Sequence, residues 1–420
     1  MLEVRSADVK PGMIIAEDIM DANGRLILPE GTELAPKHSL ALKMWGVASV
    51  PIRSGEEGES PDEESVEPKV SIAAKLRTRG LLKYNAEFTD NPFIASLGTI
   101  IEERLTEKLG QEEELPDKKV SVSEEEEPQE PPARPTKSNR TPANIIKHAD
   151  LKGSHPAVYM RLVEVVNHPY SSSEDIARII SEDPGLTARL LRIANSSFYA
   201  FPGRIDTVSR AVTIIGTTQL CDLALATSAA KLFNKIPSDM IDQRNFWEHS
   251  ISTGVFARQL AASRRLPNVE RIFTAGLLHD IGRAVLFICC PEWSYHLLDK
   301  TRKENLLMYE LEREEMGFSH AQLGAALLEE WNIPESIREA AARHHRPVGT
   351  SKFPVETALV HLADMISAGL EWGSSGEVCV PKLAPEAWQA AEISEDLLPK
   401  LVEESSHQIA DILAILMDDD

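Results

Sequence analysis

The chemistry of this chain gathers at His279-Asp280, inside the run Ala275-Gly276-Leu277-Leu278-His279-Asp280-Ile281-Gly282-Arg283. Leu277 and Leu278 mark the preceding segment as buried, and polar groups set beside a buried apolar run need partners. A metal ion or a dense hydrogen-bond network would satisfy such a pair. Groups of the same kind stand on either side: His249 in Phe246-Trp247-Glu248-His249-Ser250, His320 in Gly317-Phe318-Ser319-His320-Ala321, the pair His344-His345, and Asp364 in His361-Leu362-Ala363-Asp364. Imidazole and carboxylate together suit a divalent ion of the Mn, Fe, Zn, Ni or Mg kind, and the lack of thiols among them argues against a Cys-type structural zinc. The bland alternative is a satisfied polar network with no ion. His361 precedes Asp364 by three residues on one helix face, which suits a supporting role rather than a ligand. His38, His148, His155, His168, His296 and His407 read as surface or packing residues.

The elements that must position these groups are helical. From Ala143 to the C-terminus, residues 143–420, cap and apolar signals repeat at short intervals. Ser171-Ser172-Ser173 cap a helix opened by Glu174-Asp175, with Ile176, Ile179 and Ile180 as its apolar face. Asp183-Pro184 opens the next, carrying Leu186, Leu190, Leu191 and Ile193 inward. Glu356 to Leu370 is a core helix bearing Asp364, Trp331-Asn332-Ile333-Pro334 is a helix stop with a buried indole, and Ile393 to Met417 supplies one or two terminal helices. Short connections of this kind predict a mainly α protein whose C-terminal domain is an all-α bundle.

Ahead of it, residues 1–53 read as a small β-containing module. Asn23-Gly24 signals a hairpin before Arg25-Leu26-Ile27-Leu28, a helix is expected over Pro36 to Trp45, and a strand over Ala48 to Ile52. Residues 54–70 and 111–142 are acidic and poor in apolar anchors, and read as linkers. Between them, residues 71–110 form a helical segment with Leu97, Ile100, Ile101, Leu105 and Leu109 at helical spacing, a stripe suited to packing on a neighbouring domain or a dimer mate.

With 420 residues the chain is long enough for two or three units. A net charge of −22 disfavours nucleic acid as a partner. Four cysteines form neither a disulfide framework nor a CxxC pattern, which fits a reducing cytoplasm. The N-terminus lacks an apolar signal core, and no apolar run is expected to reach the ~18–20 residues of a membrane span.

The order H…HD…H…HH…D resembles the HD superfamily of metal-dependent phosphohydrolases. From about Asp150 to Pro347 the chain more closely resembles an HDOD domain, the related output domain of bacterial signalling proteins. The segments that carry this are Ser181-Glu182-Asp183-Pro184-Gly185-Leu186 through Ala194-Asn195-Ser196-Ser197-Phe198-Tyr199, Ala211-Val212-Thr213-Ile214-Ile215-Gly216, and Leu327-Leu328-Glu329-Glu330-Trp331-Asn332-Ile333-Pro334. The first residues, Lys10-Pro11-Gly12-Met13 through Pro29-Glu30-Gly31-Thr32, resemble a module found ahead of HD-type signalling domains.

The resemblance implies His249, His279, Asp280 and Asp364 as a metal-binding set. His320, His344 and His345 match the histidines that extend the site in HD-GYP phosphodiesterases. It departs from that pattern at Arg346-Pro347-Val348-Gly349-Thr350, where a GYP segment would stand, at Arg283 in place of a lysine, and at Asn245 in place of a glutamate. Cyclic di-GMP hydrolysis is therefore not expected. The function implied is that of a cytoplasmic signalling regulator that relays through a protein partner, with or without a bound metal. One alternative is a metal-dependent phosphohydrolase of a nucleotide or cyclic nucleotide, with Asp280 in the catalytic role; another is a passive scaffold. A homodimer is compatible with each.

Overall fold

The helices from residue 141 onward start where the chain supplies acceptors for their orphan amides. Thr141 caps the first through the amide of Asn144, Ser172 and Asp175 close a reciprocal capping box, and Asp183 accepts from the amide of Leu186 with Pro184 in the first turn. In this computed structural model the described residues are 69–113, 141–149 and 157–417, apart from 167, 169, 234, 348 and 350, together with 2–5, 13, 15–17, 19–20, 26–28, 32, 34 and 49–52. They fall into two units, Met1–Glu67 and Pro68–Asp420.

In the first unit, β1 (Leu2–Arg5) pairs antiparallel with β4 (Ser49–Ile52), setting Leu2 opposite Ile52 and Val4 opposite Val50. β2 (Ile19–Met20) pairs antiparallel with β3 (Leu26–Leu28). Ile15, Leu34 and Val50 are buried. β2 and β3 flank the expected hairpin, while Asn23, Gly24 and the helix expected over 36–45 lie outside the described residues. β1 was not anticipated, although Leu2-Glu3-Val4-Arg5 alternates apolar and polar as a half-buried strand does. The linkers expected over 54–70 and 111–142 also lie outside the described residues, except at their helical margins.

The second unit is all α. Its first nine helices are α1 (Lys69–Leu81), α2 (Pro92–Glu113), α3 (Pro142–His148), α4 (Ala157–Val166), α5 (Ser173–Ser181), α6 (Pro184–Ala194), α7 (Val208–Ile215), α8 (Thr217–Phe233) and α9 (Gln243–Ser263). There follow α10 (Val269–Leu277), α11 (Ile281–Cys289), α12 (Pro291–Glu304), α13 (Met308–Met316), α14 (His320–Glu330), α15 (Glu335–Arg343), α16 (Pro354–Gly369), α17 (Pro385–Ala391) and α18 (Leu397–Met417). The apolar faces fall inward as their spacing requires: Ile176, Ile179 and Ile180 on α5, and Leu186, Leu190 and Ile193 on α6, with Leu191 only half-buried. Trp331, just beyond α14, is buried, and Asn332 takes a left-handed φ of 52° that ends the helix.

The stripe on α2 packs on this unit's own helices. Leu97 and Ile101 meet the end of α16 at Gly369, and the Phe93 ring lies 5.4 Å from Trp388 on α17. A 3-10 turn over Lys83–Phe88 presents Asn85, fully buried, whose amide oxygen accepts from the Leu383 amide at 2.8 Å and whose nitrogen donates to the Pro381 carbonyl at 2.9 Å.

One expectation needs correction. Val269–Cys289 is 21 residues long and its most apolar window has mean hydropathy 1.6, so by length and composition one stretch of membrane-spanning length does exist among the described residues. It is folded as α10 and α11 around the His279-Asp280 turn, and 89% of its most apolar window is buried in the protein. His279, Asp280 and Arg283 interrupt it, so it does not stand out as an unbroken apolar run.

Glycines set the two crossings that matter most. Gly254 on α9 meets Gly276 on α10, where an added Cβ on Gly276 would stand 2.8 Å from the Gly254 Cα. On α11, a Cβ at Gly282 would lie 1.9 Å from the carbonyl oxygen of His320 and 2.6 Å from the Gly324 amide nitrogen. Both obstacles are backbone, so they cannot swing aside. Gly282→Ala is expected to destabilise the unit by about 1–3 kcal/mol or more through forced separation of α11 and α14. A urea midpoint equal to the parent protein's would show that this crossing tolerates a methyl group.

Candidate metal centre

Seven side chains converge at the middle of the helical unit, all at most 9% exposed. His249 comes from α9, Asp364 from α16 and His320 from the first position of α14. His279 and Asp280 sit on the turn between α10 and α11, and His344 and His345 just past α15. Four of the seven thus stand in turns at helix ends rather than on facing helices. A turn allows neighbouring side chains to reach one point, whereas adjacent residues on a regular helix diverge by about 100°.

Asp280 is the hub. It occupies the N-cap position of α11 yet makes no side-chain cap. Its carboxylate is turned to the imidazoles instead: Oδ1 lies 3.0 Å from His320 Nε2 and 3.5 Å from His344 Nε2, and Oδ2 lies 3.5 Å from His279 Nε2 and 3.9 Å from His249 Nε2. Asp364 Oδ1 completes one side, 3.3 Å from His249 Nε2 and 3.7 Å from His279 Nε2. On the other side His320 Nε2 is 3.2 Å from His344 Nε2 and 3.1 Å from His345 Nε2.

The ring protons decide what these atoms can do. His279 Nδ1 donates to the Gly276 carbonyl at 2.6 Å and His344 Nδ1 to the Ala341 carbonyl at 2.9 Å, which leaves each Nε2 as a lone pair. His279 Nε2, though buried, has no hydrogen-bond partner. Nδ1 of His320 meets the fully buried Glu312 carboxylate at 2.7 Å, the arrangement that orients a ligating imidazole and raises its basicity. His320 Nε2 stands from His344 Nε2 and from His345 Nε2 at close to the ~3.3 Å that separates ligands ~2.0–2.1 Å from a tetrahedral ion, and the candidate ligand atoms of the three lie within 4.8 Å of one another. The set His249, His279 and Asp364 likewise has its candidate ligand atoms within 4.8 Å of one another. The chemistry of this donor set fits a divalent metal, which His249, His279 and Asp364 or His320, His344 and His345 would hold.

His361 stands apart. Its Nδ1 donates to the His344 carbonyl at 2.6 Å and its Nε2 accepts from the Ala384 amide at 3.1 Å, so both nitrogens are used in fixing the turn that carries His344 and His345. Among the remaining histidines, His296 pairs with Glu315 at 2.8 Å, and His148 and His168 are exposed or nearly so. His38 and His155 lie outside the described residues.

Burial drives the His279 and His361 pKa values down to about 4, despite Asp280 and Asp364 beside His279. Burial also lowers His320, but Glu312 and Asp280 outweigh it and take the ring up to about 9. Desolvation pushes Asp280 up, yet Arg283, His279 and His320 hold it well below the usual carboxylate range. Asp364, raised by burial but bonded to His249 and facing His279, falls to about 2.

Arg283, fully buried, reaches Asp280 Oδ2 with Nε at 3.4 Å, donates Nη2 to Glu377 at 2.6 Å and donates Nη1 to the Ser375 carbonyl at 3.2 Å. Glu377 also accepts the Met308 amide at 3.0 Å. Sequence reasoning missed both Glu312 and Glu377. Glu312 hides in Glu310-Leu311-Glu312-Arg313-Glu314-Glu315, which reads as a solvated charged helix; its only signal is that it shares a face with Glu315, the other buried acid there. Two cavities open on the centre. One of about 300 Å³ is lined by His249, Asp364, Glu371 and Glu377, and one of about 590 Å³ by His345, Tyr309, Arg346 and Lys382.

Residues 153–347 match the model of the HDOD domain. A 274-residue stretch is 26% identical to an uncharacterised protein of Treponema pallidum (strain Nichols), covering 64% of this chain and 53% of that relative, so the chain spans about half the relative's length. An HDOD domain protein of unknown function from Geobacter sulfurreducens shares the fold, with a TM-score of 0.54 and 23% identity over 62% of this chain and 92% of that one. A candidate phosphohydrolase from Shewanella amazonensis SB2B does so with a TM-score of 0.51 and 21% identity, over 65% and 97% of the two chains. Asp364 and Glu377 lie beyond the matched segment.

The ring pKa values fix a pH dependence for the chelator-treated protein. His279 and His361 are neutral in the fold down to about pH 4, whereas the unfolded chain takes up protons below about 6.5. Stability is therefore full above 6.5 and lost as pH falls toward 4, by roughly 3 kcal/mol for each ring. His320, raised to about 9 in the fold, acts in the opposite sense, its contribution being lost as pH rises from about 6.5 toward 9, and so offsets a small part of the change between pH 7 and pH 5 without reversing it. Urea midpoints measured at pH 7 and pH 5 should differ in this sense; equal midpoints would mean that these rings are not held neutral.

Proposed function

We propose that the His–Asp centre, most of which lies in the segment that matches the HDOD domain, residues 153–347, binds divalent metal ions and through them a phosphoester, in the manner of a metal-dependent phosphohydrolase. The observation that carries the reading is the shared position of Asp280. One carboxylate oxygen faces His320 and His344 while the other faces His249 and His279, in a cluster whose His279 and His344 Nδ1 protons are already given to backbone carbonyls. A purely structural network would use its Nε2 atoms in hydrogen bonds as well; His279 Nε2 has none.

The first set of residues for an ion is His249, His279, Asp280 and Asp364, and the second is Asp280 with His320, His344 and His345. A divalent ion supplies a water of lowered pKa and neutralises charge on a phosphoryl oxygen. The protein's own contribution is orientation. Glu312 fixes the His320 ring, His361 fixes the His344 turn, and the Arg283–Glu377 pair holds Asp280 from behind. Asp280, shared by both sets, is the residue on which turnover would depend.

A second reading keeps the metal and dispenses with turnover, so that a protein partner reads the loaded state of the domain. What favours it is the segment after His345, where Arg346 to Thr350 lack the GYP sequence of the cyclic di-GMP phosphodiesterases. A passive scaffold would bind neither metal nor phosphate.

Elemental analysis of the purified protein, followed by a phosphoesterase screen of nucleotides with added Mn²⁺, separates these readings. Metal is expected at up to two ions per chain, with no turnover of cyclic di-GMP. Glu312→Gln should weaken metal binding by roughly 10–100-fold while helical circular dichroism is retained. A wild-type protein that takes up no Mn²⁺, Zn²⁺ or Fe²⁺ under any of these conditions would sink the proposal.

A further inference from the structure

The two cavities at the centre differ in charge, and the difference bears on how a ligand would reach it. The cavity beside His249 and Asp364 carries Glu371 and Glu377, and is acidic. The cavity beside His345 carries Arg346 and Lys382, with Glu310 and Glu386 also on its wall. Glu371 is paired with Arg77 and Glu377 with Arg283, and no lysine or arginine lines the first cavity, whereas a phosphoester has a cation to meet in the second.

Which cation is settled by existing commitments. Arg283, the cation inside the centre, has its fork spent on Glu377 and the Ser375 carbonyl. Lys382 pairs with Glu87 at 2.6 Å. The Arg346 guanidinium has no hydrogen bond or ion pair with another side chain among the described residues, and Arg346 follows His345 directly in the chain. Glu310 accepts from the Tyr309 hydroxyl at 3.1 Å, and the Tyr309 ring is stacked 4.0 Å from His345, so that wall is fixed against the centre. Glu310 and Glu386 suit the hydroxyl and amino donors of a nucleoside better than further phosphate. About 590 Å³ lies within the range of small-molecule sites.

We propose that Arg346 is the phosphate-recognition residue of this centre, admitting a nucleoside-monophosphate-sized phosphoester through the cavity between Tyr309, Lys382 and Glu386. Arginine suits the role because its planar fork meets two phosphate oxygens at once. The proposal rests on the metal-dependent reading above and adds the side of approach, the single-phosphate class of ligand and the residue that selects it.

The test is calorimetric binding of inorganic phosphate and of adenosine 5′-monophosphate to the full chain loaded with Mn²⁺, with bound metal measured in parallel. Arg346→Ala should retain its Mn²⁺ and helical circular dichroism and bind both probes roughly tenfold or more weakly. Arg346→Lys should recover part of that loss. Metal-loaded Arg346→Ala that binds both probes like wild type would overturn the subsite and leave the metal centre standing. Wild-type protein that takes up no Mn²⁺ would overturn the metal centre, and this subsite with it.

Discussion

The constraint on which this structure depends is the burial of five imidazoles and two carboxylates at one point in an apolar bundle. Each such group loses its hydration on burial and must find a partner within the protein, in a bound ion, or in both. The fold meets most of this demand through the backbone. Carbonyls of Gly276, Ala341 and His344 each take an Nδ1 proton from a histidine close by, at the ends of α10 and α15 where carbonyls lack helical partners. Helix termini thus do double service: they bring the histidines out on turns and supply the acceptors that orient them. The Nε2 edges that remain are turned on one another and on Asp280.

That placement needs close backbone approach, and the two glycine crossings provide it. Gly254 against Gly276 brings α9, with His249, onto the helix that ends just before His279. Gly282 against Gly324 and the His320 carbonyl brings α14 onto the helix that begins beside Asp280. Both crossings lie within about one turn of the residues they align, so a change in either would be felt directly as a change in ligand spacing.

Much of this was legible in the sequence. The order and types of His249, His279, Asp280, His320, His344, His345 and Asp364 marked the cluster, and the caps at Ser172 and Asp183 marked helix starts, because both signals are local or carried by residue type. What escaped were partners fixed only by tertiary contact. Glu312 looks like any acid in a run of glutamates until α13 is folded against α14, and Glu377 sits in an irregular stretch after α16 with no period to read. Asn85 is a lone amide in a short 3-10 turn; nothing in its neighbours announces that it ties Pro381 and Leu383. The membrane-length apolar stretch escaped for the opposite reason, since the His279-Asp280 pair that drew attention also divided it.

These late partners show that the centre is larger than the domain segment that houses most of it. Asp364 and Glu377 come from beyond residue 347, and the irregular stretch that carries Glu377 continues to Pro381 and Leu383, where Asn85 fastens it from ahead of residue 153. Leu81 extends the same attachment by accepting the Val380 amide at 2.9 Å, and it lines the cavity beside His249 and Asp364. Glu377 in turn holds Arg283, and Arg283 holds Asp280. A chain of direct contacts thus runs from the helical segment α1–α2 to the carboxylate shared by both halves of the centre. The links are hydrogen bonds and ion pairs that are buried or partly buried, and releasing one leaves a polar group short of a partner, so the geometry of the covering stretch bears on that of the centre.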